Sequence, residues 1–426
     1  MAKNATNKVS VWQSLRNAWK VKDIRSKLIY TFVMLVLFRL VSVIPAPGVD
    51  IARLNEAGMR DLPLLQLMNM MTGNAFSQLT IMAMGVSPYI NSSIIMQLLT
   101  IAIPALERMQ KSGPDGQKKI AQITRYLTVV LAVIQAIGLV SSVGFIKPGW
   151  YNYVLVGASM AAGTALAMWM GERITEKGIG NGISLLIFVG IVVNLFSGYS
   201  NLLLTAIQNP TFGNWLKFVG VLLLALVMIL VVTFIDMGVR RINVNYAKRV
   251  SGRKMYGGQS SIIPLKVVSV GVLPLIFAYS FMAFPGTIIQ LASKPTSGLY
   301  QWWMNNMNAT SPLYMIICAL LIIAFTYFYS SISFQPDEMA KNIQQQGGAI
   351  PSVRPGKPTA DYLKRINLFA ALFLAVLATL PNIITEAAQV QIPFAASSLL
   401  IAVSVALETK RQLDDMLAAR NYDTLS

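Results

Sequence analysis

Apolar residues fall in ten long blocks, at about 28–46, 86–105, 126–146, 151–170, 182–200, 214–235, 268–291, 312–333, 366–385 and 392–407. Asp, Glu, Lys and Arg are scarce inside the blocks and crowd between them. A helix needs roughly 20 apolar residues to cross a hydrocarbon core, so each block reads as one membrane span. The interval before the second block breaks the pattern. From Leu62 to Leu106 the chain runs without a single Asp, Glu, Lys or Arg, too far for one span. Pro63, Gly73, Gly85 and Pro88 interrupt it, and Gln66, Asn69, Thr72, Asn74, Ser77 and Gln78 are mixed among its Leu and Met. Val86 to Pro104 reads as a span. The part before it reads as a short helix over about Pro63–Met71 followed by a loop.

Charge decides where that part goes. Lys and Arg favour cytoplasmic loops. With the N-terminus inside and ten spans, segments 1–27, 106–125, 171–181, 236–267, 334–365 and 408–426 are cytoplasmic and hold 29 of the 35 basic residues. Arg53, Arg60, Lys147 and Lys294 fall outside, and Arg39 and Lys217 lie toward outer ends of spans. This parity requires 62–106 to make a net single crossing, because a double crossing would place Arg108, Lys111, Lys118, Lys119 and Arg125 outside. The Pro63–Gly85 part then either dips in from the outer face and returns, or lies flat on that face. The first option needs a cavity or protein around it, since non-helical backbone is tolerated at membrane depth only there.

Composition agrees: 426 residues, 55% hydrophobic, 12% charged, mean hydropathy +0.57. This is a polytopic membrane protein. Residues 1–27 are a basic segment in which Val11, Trp12, Leu15, Trp19 and Ile24 recur at helical spacing, suited to an anionic lipid surface or to a partner. No small-residue cleavage site follows the first block, so no removable signal is expected. Arg39 in the first span either snorkels, pairs structurally or serves function. Gly157, Ala158, Ala161, Ala162 and Gly163 suit close packing of the fourth span. Gly178–Gly182 reads as a flexible lead-in to the fifth. No GxxxxGK[ST] phosphate loop occurs.

Two inter-span loops are long. Asp236–Val267 carries Arg240, Arg241, Lys248, Arg249, Arg253, Lys254 and Lys266; Ile242–Tyr246 alternates like a strand, and Ser251-Gly252 offers a hairpin turn. Phe334–Arg365 is similar in length. Positive-inside topology accounts for their charge, but not for their length and patterning. Basic tips of this kind suit an acidic protein surface or RNA phosphates. Division at Asn201–Asn214 leaves two halves of five spans, which would be oppositely oriented around a central site, although no self-similarity appears in sequence.

The chemistry that is missing narrows the function. There is no His, the single cysteine is Cys318, and the carboxylates Asp236, Glu386 and Glu408 stand at span ends. No catalytic set or metal cluster can be assembled. Ion-coupled transport usually needs mid-membrane ionisable groups. A passive conduit driven from outside remains; a secondary transporter of a small solute, or a non-conducting scaffold, are the alternatives.

Met84-Gly-Val-Ser-Pro-Tyr-Ile-Asn-Ser-Ser-Ile-Ile-Met-Gln-Leu-Leu99, Gly178-Ile-Gly-Asn-Gly-Ile-Ser184, Val244-Asn-Tyr-Ala-Lys-Arg249, Val353-Arg-Pro-Gly356 and Ser397-Ser-Leu-Leu-Ile401 resemble the bacterial SecY family along essentially the whole chain. The resemblance implies an all-α protein of ten transmembrane helices in two inverted pseudo-symmetric halves of five, 28–200 and 201–407, with a basic segment 1–27 and a cytoplasmic tail 408–426. It implies that about 63–72, including Leu64, Leu65, Leu67, Met68 and Met71, form a re-entrant plug. It implies a pore ring of Val86, Ile90, Ile187, Ile276 and Ile401; Val86 departs from a commoner Ile, loosening the waist slightly. It further implies a lateral gate between spans two and three and spans seven and eight, through which transmembrane segments of a secretory precursor reach lipid. Arg249 and Arg354 match the family's functional loop-tip arginines, which dock the motor ATPase SecA or the ribosome. SecE and SecG are the implied membrane subunits. No cofactor is expected, ATP hydrolysis belongs to SecA, and the implied location is the bacterial cytoplasmic membrane with both termini inside.

Overall fold

The computed structural model describes residues 11–50, 72–143, 146, 149–246, 249–251, 254–256, 260–266, 273–292, 297–307, 311–333, 336–351, 353–388 and 396–423. Its helices are α1 (Val11–Lys20), α2 (Lys22–Val41), α3 (Ser87–Ala102), α4 (Pro104–Lys111), α5 (Pro114–Val143), α6 (Trp150–Lys177), α7 (Gly182–Gln208) and α8 (Phe212–Asp236). Strands β1 (Val239–Tyr246), β2 (Arg249–Ser251), β3 (Lys254–Tyr256) and β4 (Ser260–Lys266) follow. Then come α9 (Leu273–Ala292), α10 (Gly298–Asn306), α11 (Pro312–Ser333), α12 (Pro336–Gln345), β5 (Gly348–Ala349), α13 (Lys357–Ala388) and α14 (Ala396–Asp423).

Each of the ten apolar blocks overlaps a helix in the described residues. Among the described residues, five helices (α5, α6, α7, α8 and α11) are long and apolar enough to cross a membrane, or six if α3 and α4 form one bent span. α2 falls short on composition because Lys22, Asp23, Arg25, Lys27 and Arg39 lie within it. α8 leaves Phe212, Leu230 and Phe234 largely exposed. A helix apolar on every side with so much bare surface needs lipid around it.

The chain forms two compact units. The first comprises Met1–Ser200, Pro285–Tyr300 and Val405–Ser426; the second comprises Asn201–Phe284 and Gln301–Ser404. In the first unit α5 packs against α6 and α3, and α2 packs on α6. The core joins Ala46, Val49, Phe76, Leu79, Met84, Ala136, Val156 and Met160. In the second unit α11 packs along α13, and α12 sits against the start of α13. There β1 is central in an antiparallel sheet of order β4-β1-β5, and β2 and β3 form a small hairpin.

Several expectations are corrected. The second span does not run straight to 105: α3 ends at Ala102 and the axis turns 102° into α4. Pro104 has no N–H to continue the ladder and forces Ile103 out of the helical region, to φ −109°, ψ 110°. Gly178–Gly182 is a fastened turn rather than a flexible lead-in. The Ile179 N–H donates to Thr31 Oγ1 at 3.0 Å, the Gly182 N–H to Thr175 Oγ1 at 2.9 Å, and Asn181 Oδ1 accepts the Ser184 N–H as a helix cap. Ile179 is buried with Ala18, Ile24 and Leu413. At the N-terminus Trp19 and Ile24 do not share a face. Val21 interrupts the helix at φ −90°, ψ 113°, leaving Trp19 exposed while Ile24 is buried. The hairpin expected at Ser251-Gly252, by contrast, is there: Ile242–Asn245 pair with Ser260–Ile263, and β2 pairs with β3 in the same register, with Ser251 opposite Lys254 at the tip.

Candidate functional site

The apolar segment that dominates the sequence ends, in the first unit, as buried irregular backbone. Residues 72–86 contain almost no helix, yet Thr72, Ala75, Phe76, Leu79, Thr80, Met82, Ala83, Met84 and Val86 are all buried. Such backbone is stable away from water only if its polar groups are paired, and many are. The Phe76 N–H donates to Thr72 Oγ1, and both the Thr80 N–H and Thr80 Oγ1 donate to the Ala75 carbonyl. Outward, the Ala46 N–H donates to Leu79 O and the Ile81 N–H to Ile44 O, each at 3.0 Å, which ties the segment to the end of α2. α6 closes the other side: a Cβ on Gly163 would collide with the Ile81 carbonyl. The small residues of the fourth span therefore admit an irregular backbone as well as a helix.

This segment delivers the chain to Val86, the N-cap of α3, with Pro88 in the first turn. The Ile90 N–H donates to the Val86 carbonyl at 3.1 Å, so the two side chains stand one turn apart. Both are buried, as is Ile187 on α7 of the same unit. In the second unit Ile276 on α9 and Ile401 on α14 are also buried. None of the five faces solvent or lipid. Leu64, Leu65, Leu67, Met68 and Met71 lie outside the described residues.

The two long loops meet in the second unit. β1, from the first loop, pairs with β5, from the second, at Asn245–Ala349 and Tyr246–Gly348. Ile242 and Val244 point inward and are buried with Ile343, Ile350 and Leu363, while Arg241, Asn243 and Asn245 point outward, the alternation of a half-buried strand. Lys364 on α13 bonds Asp337 on α12 at 3.0 Å, and this hydrogen bond raises the Lys364 pKa. Arg249 stands on β2, its residue paired with Tyr256. Arg354 is exposed in the turn before α13; its carbonyl accepts Thr359 Oγ1–H at 2.9 Å, so the backbone is fixed while the side chain is free to reach outward.

Sequence reasoning missed β5, because two residues carry no strand period. It also missed the carbonyl of Gly73 as the partner of Arg39 (3.4 Å from both Nη1 and Nη2); the intramembrane charge was the available signal. Among the described residues no group of three or more His, Cys, Asp or Glu is placed to hold a metal.

Apolar helices with lipid-grade surfaces, an irregular segment buried among them and a sheet built from two inter-helix loops define a multi-span helical membrane protein. The SecY family model matches residues 80–410. The Corynebacterium glutamicum protein translocase subunit SecY is 41% identical over 96% of this chain and 98% of its own. That of Halalkalibacterium halodurans is 40% identical over 97% and 99%. The fold is that of a protein-conducting channel (TM-score 0.67, 21% identity, 92% of each chain). It is also that of a SecY whose plug domain stabilises the closed state and maintains a membrane seal (0.65, 21%, 92% of each), and of canine Sec61 in a ribosome–channel complex (0.64, 19%, 92% of each). This chain belongs to the SecY family.

Proposed function

We propose that this chain is the conducting subunit of a protein translocase, passing unfolded precursors across the bacterial cytoplasmic membrane and releasing transmembrane segments into lipid. The observation that carries this is near-full-length similarity to relatives that are themselves protein translocase subunits. The architecture is ten spans in two inverted halves. Val86, Ile90, Ile187, Ile276 and Ile401 form an apolar waist, which resists wetting and ions yet offers a sliding chain no strong binding site. Residues about 63–72 form a plug that closes the waist, and the buried run 72–86 is its return arm. Arg249 and Arg354 present positive charge to SecA or the ribosome, and SecE and SecG complete the membrane complex. Both termini are cytoplasmic, and ATP is hydrolysed by the motor rather than by this chain. The test is reconstitution: vesicles holding this chain with its small subunits, given SecA, ATP and a precursor, should shield the precursor from added protease. Precursor left fully digestible in complete vesicles would refute the proposal.

A further inference from the structure

Within the second unit, α9 and α11 meet through aromatic rings. Phe277 lies edge-on to Phe325 and Tyr329, and Phe281 to Phe325. A step forward on α9 thus meets a step back on α11, so the two helices run antiparallel. Further up α11 the Tyr279 hydroxyl hydrogen-bonds the sulfur of Cys318, the single cysteine of the chain. Tyr314 stands one turn before Cys318 and within electrostatic reach of it. It is 4% exposed, and its hydroxyl is buried with no hydrogen-bond partner among the described residues. In the antiparallel register Met282, three residues past Tyr279, comes level with Met315, three before Cys318. Both methionines are buried, each one turn from the Tyr279–Cys318 contact. The neighbourhood of one thiol therefore holds two hydroxyls and two thioethers.

A neutral thiol is a weak acceptor, and a buried donor without an acceptor carries its full desolvation penalty. Two hydroxyls directed at one sulfur suit a thiolate better than a thiol. Neither α9 nor α11 contains Lys, Arg, Asp or Glu, so nothing on these helices neutralises a thiolate, and a bare buried charge is costly. A cation bound to the sulfur itself removes that cost. We propose that Cys318, Met282 and Met315 form a binding site for a soft monovalent cation of the Cu(I) and Ag(I) class, with Tyr279 and Tyr314 donating hydrogen bonds to the metal-bound sulfur. Thiolate and thioether are the ligands that select such ions, and they stand here without any His or carboxylate. One thiolate and one monovalent cation make a neutral complex, which a membrane interior accepts. Binding breaks the S–H bond and forms the sulfur–metal bond; the proton passes to the buffer and no electron is transferred. The tyrosines orient the sulfur from outside the coordination sphere. Because its ligands come from both α9 and α11, the occupied site ties these two helices together. The inference is independent of the conducting role.

The full-length chain, purified in its membrane complex, is titrated with Ag(I) in chloride-free buffer while bound metal, released protons and melting temperature are recorded. Wild type should bind an Ag(I) ion that Cys318→Ser does not, release a proton on binding, and melt higher when loaded, since a ligand held only by the folded state stabilises it. Met282→Leu and Met315→Leu keep the thiol and nearly the same volume. Each should weaken Ag(I) binding about tenfold, corresponding to about 1.4 kcal/mol, while the metal-free protein melts close to wild type. Tyr314→Phe should weaken binding severalfold yet leave the metal-free protein at least as stable, because it removes an unpaired donor; a purely structural tyrosine would lower the metal-free melting temperature and leave the affinity alone. Cu(I), kept reduced without oxygen, should compete with Ag(I). Should Cys318→Ser fail to fold, the two methionine variants carry the comparison. Equal uptake by wild type and Cys318→Ser would place the metal elsewhere and overturn the site. Unchanged affinity in both methionine variants would reduce it to a bare thiol and overturn it equally.

Discussion

Gly163 of α6 lies directly against the main-chain carbonyl of Ile81, so close that a single added carbon would overlap it. Main chain cannot step aside as a side-chain tip can, because the Ile81 N–H is already bonded to Ile44 O at 3.0 Å. Gly163→Val should therefore destabilise the protein by about 1–3 kcal/mol, the range for forcing bulk into a packed core. Gly157→Ala, whose nearest neighbour would be Ile137 Cγ1 at 3.9 Å, should be close to neutral. Thermal unfolding of the purified protein in detergent distinguishes them.

The shared sheet makes a second prediction. Val244 is fully buried among Ile343, Ile350 and Leu363, which belong to the other loop and to α13. Val244→Ala should cost about 1–3 kcal/mol, and the loss should appear in both loops at once. Hydrogen exchange should quicken across β1, β4 and α12 together. Asn243→Ala, on the outer face, should change little. Exchange confined to 239–266 would show that the two loops are energetically independent.

Arg354 should separate docking from folding. Its side chain is exposed and its carbonyl is held by Thr359. Arg354→Glu should leave the melting temperature unchanged while weakening motor-driven export severalfold. Thr359→Val should do the reverse, loosening the turn by about 0.5–1.5 kcal/mol. Export rates and melting curves of the two variants provide the check, and normal export by Arg354→Glu would sink the docking role.

Deletion of Leu64–Met71 should let the resting channel leak small ions while the remaining fold persists, since the buried run from Thr72 onward makes its own hydrogen bonds. Bilayer recordings of the deleted channel read this directly.

Most helices were legible in sequence because lipid demands long apolar runs, and charge between the runs marks their ends. The broken stretch before Val86 was also legible, since proline, glycine and amides cannot sit bare in hydrocarbon. Contacts between distant positions were not. Nothing near Thr31 announces that it will accept a hydrogen bond from Ile179, 148 positions away. Gly178–Gly182 looks flexible by composition and is rigid only because Thr31, Thr175 and Ile24 arrive there. The bend at Ile103 was written in Pro104, but hydropathy alone carried the span through it. Gly348–Ala349 joins a sheet through main-chain bonds that encode no side-chain pattern. Arg39 announced itself as a charge out of place, and only the fold supplied Gly73.

The central claim is that a precursor passes the apolar waist of this chain. A photocrosslinking residue at Ile187, buried on α7, with a secretory precursor stalled midway through export, tests it most directly. The account predicts a precursor adduct that requires both a signal sequence and the stall. Adducts confined to outer helix faces, with none at Ile187, would mean that the polypeptide bypasses this pore and would contradict the conducting role.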